Sequence, residues 1–267
     1  MMKQLTIVFV WVILTLSSKT SLASSQERLD ALFGEDFSTS SPVTEGTIFT
    51  LEGELGFLRE SGNTQASSLT AGINAQHETA HISAQYFAEL LYKESEISVD
   101  GVQQTDVTAQ RWFGFVQNEY KLAEPNNRLF VYGDYENDRF SGYNYRSTIA
   151  AGWAQQRWNN ETSSFRYSIG PGYLFAKEDN QLANRPILRG SINYTYTLSS
   201  GARLRQFISS ELSTKNSFTR TISSLTMTLI DKLALKVAFK TTYQSNANET
   251  SDALNTETTI AMVYQFF

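Results

Sequence analysis

The chain has 267 residues, 41% hydrophobic, 13% aromatic and 18% charged, with a formal net charge of -5 and no cysteine. That composition is too apolar for a disordered chain, gives a nucleic-acid partner little electrostatic support, and excludes a disulfide scaffold or a thiolate zinc site. Mean hydropathy is -0.31 and no apolar run reaches about 18 residues, so a bundle of membrane-spanning helices is excluded as well.

The chain opens on a basic residue, Lys3, followed by an apolar stretch at residues 5–16 (LTIVFVWVILTL) and a small-x-small end at Ser21-Leu22-Ala23. These three parts predict a secretory signal peptide over residues 1–23, cleaved after Ala23. The apolar stretch is shorter than the ~20 residues an anchor helix needs. Residues 24–46 read as an acidic periplasmic tail with at most one short helical turn, at 27–33.

From residue 47 to 267 the period of the hydrophobic pattern is two, which puts alternate side chains on opposite faces of a sheet. Phe49, Leu51, Leu55 and Phe57 face one way, and Thr50, Glu52 and Glu54 the other. Similar alternation runs through Ile82, Ala84, Tyr86, Ala88, Leu90 and Tyr92, again through Leu188 to Leu198, and again through Leu233 to Tyr243. The pattern predicts about twelve strands, at 48–60, 65–77, 80–92, 107–121, 128–137, 146–157, 163–176, 186–198, 202–213, 217–229, 233–244 and 256–267. At ~10 to 14 residues each, they are long enough to cross a membrane at a tilt.

Short connections are expected at 78–79, 122–127, 159–162, 199–201 and 230–232, and long ones at 93–106, 138–145, 177–185 and 245–255. Short turns on one rim and long polar loops on the other are the plan of an outer-membrane barrel, short rim in the periplasm. A secreted soluble sandwich or lipocalin-like barrel also alternates, but with its apolar side chains inward. The last strand tips the balance. Ile260, Met262, Tyr264 and Phe266 share one face, like the carboxy-terminal signal by which barrels are inserted. The expected fold is therefore an all-β, transmembrane, antiparallel up-and-down barrel of about twelve strands, a monomer in the outer membrane of a Gram-negative cell. Its partners would be membrane lipid, lipopolysaccharide and, through the last strand, the barrel-assembly machinery.

Five blocks carry a family resemblance: residues 53–64 (GELGFLRESGNT), 129–146 (LFVYGDYENDRFSGYNYR), 170–173 (GPGY), 231–237 (DKLALKV) and 263–266 (VYQF). Together they resemble the YdiY-like family of salt-induced outer-membrane proteins, a domain of unknown molecular function. DRFSGYNYR is the most specific of them. The resemblance spans nearly all of the chain after about residue 47. It implies an outer-membrane barrel with a link to salt or envelope stress, and brings no catalytic or ligand residues with it.

By parity the inward face carries Glu52, Glu54 and Glu89 on early strands, Asp134 and Glu136 on the fifth, and Arg189, Arg203, Arg205, Arg220, Lys236 and Lys240 on later ones. Closing the sheet would set acids opposite bases across a narrow lumen. If they meet they plug it, because unpaired buried charges cost several kcal/mol each. If they do not, a transverse field crosses a small aqueous constriction and favours small polar or charged solutes. Both outcomes stay open, which leaves a narrow channel and a plugged structural or loop-binding barrel as alternatives.

A membrane hydrolase is the least supported reading. The only histidines, His77 and His81, flank a turn at the predicted periplasmic rim and lack the neighbours a triad or metal site needs. The chain reads as a non-enzyme without cofactor. Asp134, Glu136 and Asp138 alternate along a strand and lack calcium-loop spacing, leaving a solvated rim or a loose cation site. Arg139, Tyr143, Tyr145 and Arg146 would lie in a long loop, touching lipopolysaccharide phosphates or packing over the mouth.

Overall fold

The structure is a computed structural model that describes residues 48–60, 66–99, 102–124, 126–139, 143–178, 181–199, 201–214, 216–230, 232–245 and 253–266. The predicted signal peptide and acidic tail lie outside these. Twelve strands form the barrel: β1 (Ile48–Glu60), β2 (Ala66–Glu78), β3 (Ile82–Val99), β4 (Val102–Lys121), β5 (Asn127–Asp138), β6 (Tyr143–Asn159), β7 (Ser163–Glu178), β9 (Arg185–Ser199), β10 (Ala202–Leu212), β11 (Ser217–Ile230), β12 (Leu233–Gln244) and β13 (Leu254–Gln265). A two-residue strand, β8 (Gln181–Leu182), folds back on the end of β7. Each barrel strand pairs antiparallel with its neighbours, and β1 pairs with β13 to close the sheet. That closing seam has the shortest register of the twelve, from Glu52↔Gln265 to Leu55↔Met262.

Closure removes the unpaired strand edge, so the backbone polar groups of the wall are satisfied inside the sheet and the outside is left to side chains. Those side chains are apolar and uncovered: Leu55, Phe57 and Val131 are 60%, 68% and 62% exposed. Phe239 and Ile260 are exposed on the same outer face. Exposed apolar residues on strand after strand would be a severe liability in water and are the natural surface for lipid. Aromatic pairs collect toward the two ends of the wall. Trp158 and Phe165 stack at 4.7 Å, and Tyr264 meets Phe266 edge-on at 5.3 Å, near the rim where β1 begins and β13 ends. Tyr173 and Phe175, with ring centroids 5.0 Å apart, lie toward the opposite rim. Two girdles of this kind are what interfacial aromatics form.

The rim where β1 begins and β13 ends, here the terminal rim, carries tight turns among the described residues. Thr79 Oγ1 accepts from the Ile82 N–H at 2.9 Å, and Asn160 Oδ1 accepts from the N–H groups of Thr162 and Ser163 at 3.1 and 2.9 Å. Asn126 supplies the left-handed backbone that the turn before β5 requires, with φ of 70°.

The far rim differs from expectation. Residues 93–106 are not a long loop: β3 and β4 continue to Val99 and Val102, which pair with each other. At ~3.3 Å per residue these strands run roughly 60 Å, well past an apolar band about 25 Å tall. Strand also reaches into the expected loops at 138–145 and 177–185, where β5 ends at Asp138, β6 begins at Tyr143, β7 ends at Glu178 and β9 begins at Arg185. Ladder hydrogen bonds satisfy the backbone of a polar segment as well as water does, so polarity alone does not end a strand.

One seam is unusually tight. Between Ala150↔Gly172 and Trp153↔Ile169, a Cβ at Gly152 would strike the Ile169 carbonyl and one at Gly170 the Ala151 carbonyl. Glycine at both positions lets β6 and β7 approach this closely.

Candidate functional site

The inside of the barrel is the site. Alternate residues of each strand point into it, and these are mostly charged, hydroxyl- or amide-bearing, with an aromatic sector and an aliphatic cluster at Leu174, Ala176 and Ile187. Near the terminal rim Glu119 on β4 is fully covered, with Arg128 of β5 at 3.4 Å, Arg166 of β7 in direct contact, and Gln117 donating to it at 2.7 Å. Midway up, Lys236 on β12 reaches across β13 to Glu54 on β1 at 2.9 Å. Above that, Arg111 on β4 donates to Glu89 at 2.6 Å and to Glu257 on β13 at 2.8 Å, while Lys240 lies 3.7 Å from Glu89. Further round, Arg220 on β11 donates to Glu136 on β5 at 2.7 Å across the lumen. Arg146 on β6 contacts Glu211 on β10, and Thr148 Oγ1 donates to the same carboxylate at 3.2 Å.

Asp134 accepts from the Tyr132 hydroxyl at 2.8 Å and from the Thr148 N–H at 2.6 Å. With Glu136 held by Arg220, these two acids do not gather at the mouth as a shared cation site. Glu52 accepts from Asn74 at 3.4 Å, Arg205 donates to Asn193 at 3.0 Å, and Arg189 and Arg203 are both buried.

Three cavities lie in file along the axis between these contacts. The one nearest the terminal rim, about 40 Å³, is bordered by Glu52, Glu54, Arg203, Arg205 and Lys236. The middle one, about 140 Å³, shares Glu54, Arg205 and Lys236 with it. The third, about 230 Å³, opens toward the far rim and shares Lys240 and Glu257 with the middle one. His77 and His81 border none of the three.

A family model described as a protein of unknown function, DUF481, matches residues 53–266. The chain belongs to that family. It is similar to the uncharacterized protein YdiY of Escherichia coli (strain K12), 27% identical over 254 residues, which covers 87% of this chain and 94% of YdiY. Among solved structures it resembles an outer-membrane channel from Pseudomonas putida F1 (12% identity, TM-score 0.47, covering 86% of this chain and 99% of that one). It also resembles the translocator domain of the autotransporter NalP from Neisseria meningitidis (12% identity, TM-score 0.44, covering 90% and 94%).

Within this DUF481 barrel, several lumen residues escape a reading of the sequence by its most obvious alternating runs. Glu119, Arg111, Arg128, Arg166, Glu211 and Glu257 are network members that such a reading passes over. Arg146 and Tyr143, expected in a long loop, lie on β6 and are buried. Arg146 lies on β6, buried against Glu211 and 3.4 Å over the Phe218 ring, and Tyr143 packs with Leu174, Ala176 and Ile187. A second omission is aromatic. Phe87, Phe113, Phe115 and Tyr132 face inward from β3, β4 and β5 with ring centroids 5.5 to 6.1 Å apart. They form an apolar wall inside a charged lumen.

Proposed function

We propose that the protein is an outer-membrane barrel that passes small polar or charged solutes through a narrow lumen gated by side chains, with its terminal rim in the periplasm. The observation that carries this reading is the file of three cavities, because neighbouring cavities meet at ion-paired side chains rather than at backbone. Rotamer motion of Lys236 or Lys240 is fast and local, so such barriers open without reshaping the wall. Charged groups at a constriction then choose among solutes. A closed barrel with an apolar exterior and two aromatic girdles supports the outer-membrane location. The exposed set Ile260, Met262 and Tyr264 on β13, with Phe266 just past its end, supports its reading as the insertion strand.

A plugged barrel is the second reading, favoured by Glu119, whose side chain is fully covered between two guanidiniums. Planar-bilayer recordings separate the two. Small discrete conductance steps are expected from the wild-type protein, and a larger unit step from Glu54→Gln with Lys236→Gln, which removes the first barrier without leaving a lone buried charge. If folded samples of both proteins are silent, the channel reading is wrong and the plug stands.

A further inference from the structure

The middle cavity has two unlike walls. One is the aromatic sheet of Phe87, Phe113, Phe115 and Tyr132, and the other is basic. Six cationic side chains border the cavity against three carboxylates, Glu54, Glu89 and Glu257. Each of those three already has a cation, Lys236 for Glu54 and Arg111 for the other two. Arg166 and Arg220 are held in turn by Glu119 and Glu136, and Lys240 lies beside Glu89, so most of the bordering cations are matched by an acid.

Arg189 is the group this leaves unsettled. It is 3% exposed, and among the described residues its Nε and Nη1 make no hydrogen bond. The nearest carboxylate, Glu211, is 3.9 Å from Nε and is engaged by Arg146 and Thr148. Its guanidinium lies 3.6 Å over the Tyr132 ring. Stacking fixes the plane and leaves the in-plane donors at its edge, the geometry that takes a carboxylate. Buried donors without a partner are rare in native proteins and call for an occupant.

We infer that the middle cavity binds a small solute made of a carboxylate on a flat apolar ring, the charge at Arg189 and the ring against Phe87 and Phe115. The volume agrees. About 140 Å³ of room is close to the ~150 Å³ of an engineered cavity that admits benzene, so a single ring is the body that fits, with its carboxylate at the wall. This deepens the channel reading by naming a solute class, and rests on it only for how the solute arrives.

Binding is tested on the full-length purified barrel in detergent micelles by titration calorimetry with benzoate, where no conduction is involved. Saturable benzoate binding is expected, with benzylammonium and acetate each at least about tenfold weaker, because one lacks the charge and the other the ring. Arg189→Gln should weaken benzoate about tenfold or more while the folded band on an unheated gel is kept, and Phe115→Leu should weaken benzoate but not acetate. Equal affinity for benzoate and benzylammonium, or no change in a folded Arg189→Gln protein, overturns the inference. A barrel that conducts yet ignores benzoate would sink it and leave the channel reading intact. One that binds benzoate and never conducts would do the reverse.

Discussion

Two levels of the lumen meet the same electrostatic problem in opposite ways. Near the terminal rim one carboxylate, Glu119, serves two guanidiniums, Arg128 and Arg166, and its side chain has no exposure. Higher up one guanidinium, Arg111, is served by two carboxylates, Glu89 and Glu257, which keep 20% and 14% exposure. The first arrangement turns on one shared acid, fully covered even though Arg166 reaches the middle cavity. The second has a spare partner and borders cavities. A charge network can therefore act as a structural clamp at one height and as a movable partition at another, depending on how many partners each member can lose.

The largest effect is expected at the clamp. Glu119→Ala leaves two buried guanidiniums without their shared acid and should cost about 3–5 kcal/mol. The measurement is the unfolding free energy from urea titration in micelles, or the temperature at which the folded gel band converts. If Glu119→Ala unfolds at the wild-type midpoint, the two levels do not differ as argued here.

Next comes the wall around both levels. Val131 lies between Phe130 and Tyr132 near the middle of β5 but points outward, and both its neighbours are buried in the lumen. Val131→Arg should cost about 1–2 kcal/mol in a bilayer, less than the ~2–4 kcal/mol of a cation at the midplane, because Val131 pairs with Asn118 on the terminal-rim side of the band. The same substitution in a water-facing strand would be close to neutral. A near-neutral result in liposomes would mean that this face is not against lipid, and the lumen comparison would lose its frame.

Much of this was legible in period two. The outward faces of β1, β3, β9 and β12, the number of barrel strands and the closing strand all follow from alternation, because a one-residue slip exchanges the two faces. The same rule extends further than the longest apolar runs. Arg111 and Glu119 share the parity of Phe113 on β4, Arg166 alternates with Phe165 and Tyr167 on β7, and Glu211 keeps step with Arg203 and Arg205 on β10. Aromatic residues hid the β4 pattern, since Phe113 and Phe115 face inward while Trp112 faces out. The continued β3–β4 hairpin was also readable, because Asp100-Gly101 between two valines is a strong hairpin signal. Parity does not say which charges meet across the lumen. Strand tilt and stagger set their heights, and those emerge only when twelve strands close.

The smallest effect is the most discriminating. Glu89→Gln removes one of the two acids on Arg111, but Glu257 holds that guanidinium by both ends, Nη1 at 2.8 Å and Nη2 at 3.5 Å. The expected loss is about 1 kcal/mol, because Arg111 keeps Glu257 and only Lys240, 3.7 Å from Glu89, gives up a nearby acid. Glu257→Gln should behave similarly, with Glu89 as the remaining partner at 2.6 Å. The two together strand Arg111 and should cost about 3–5 kcal/mol, far more than the singles summed. Strong non-additivity in that cycle, read from the same urea titrations, identifies a redundant partition. Additive losses would make the upper level a second clamp, and the gated path through it would have no physical basis.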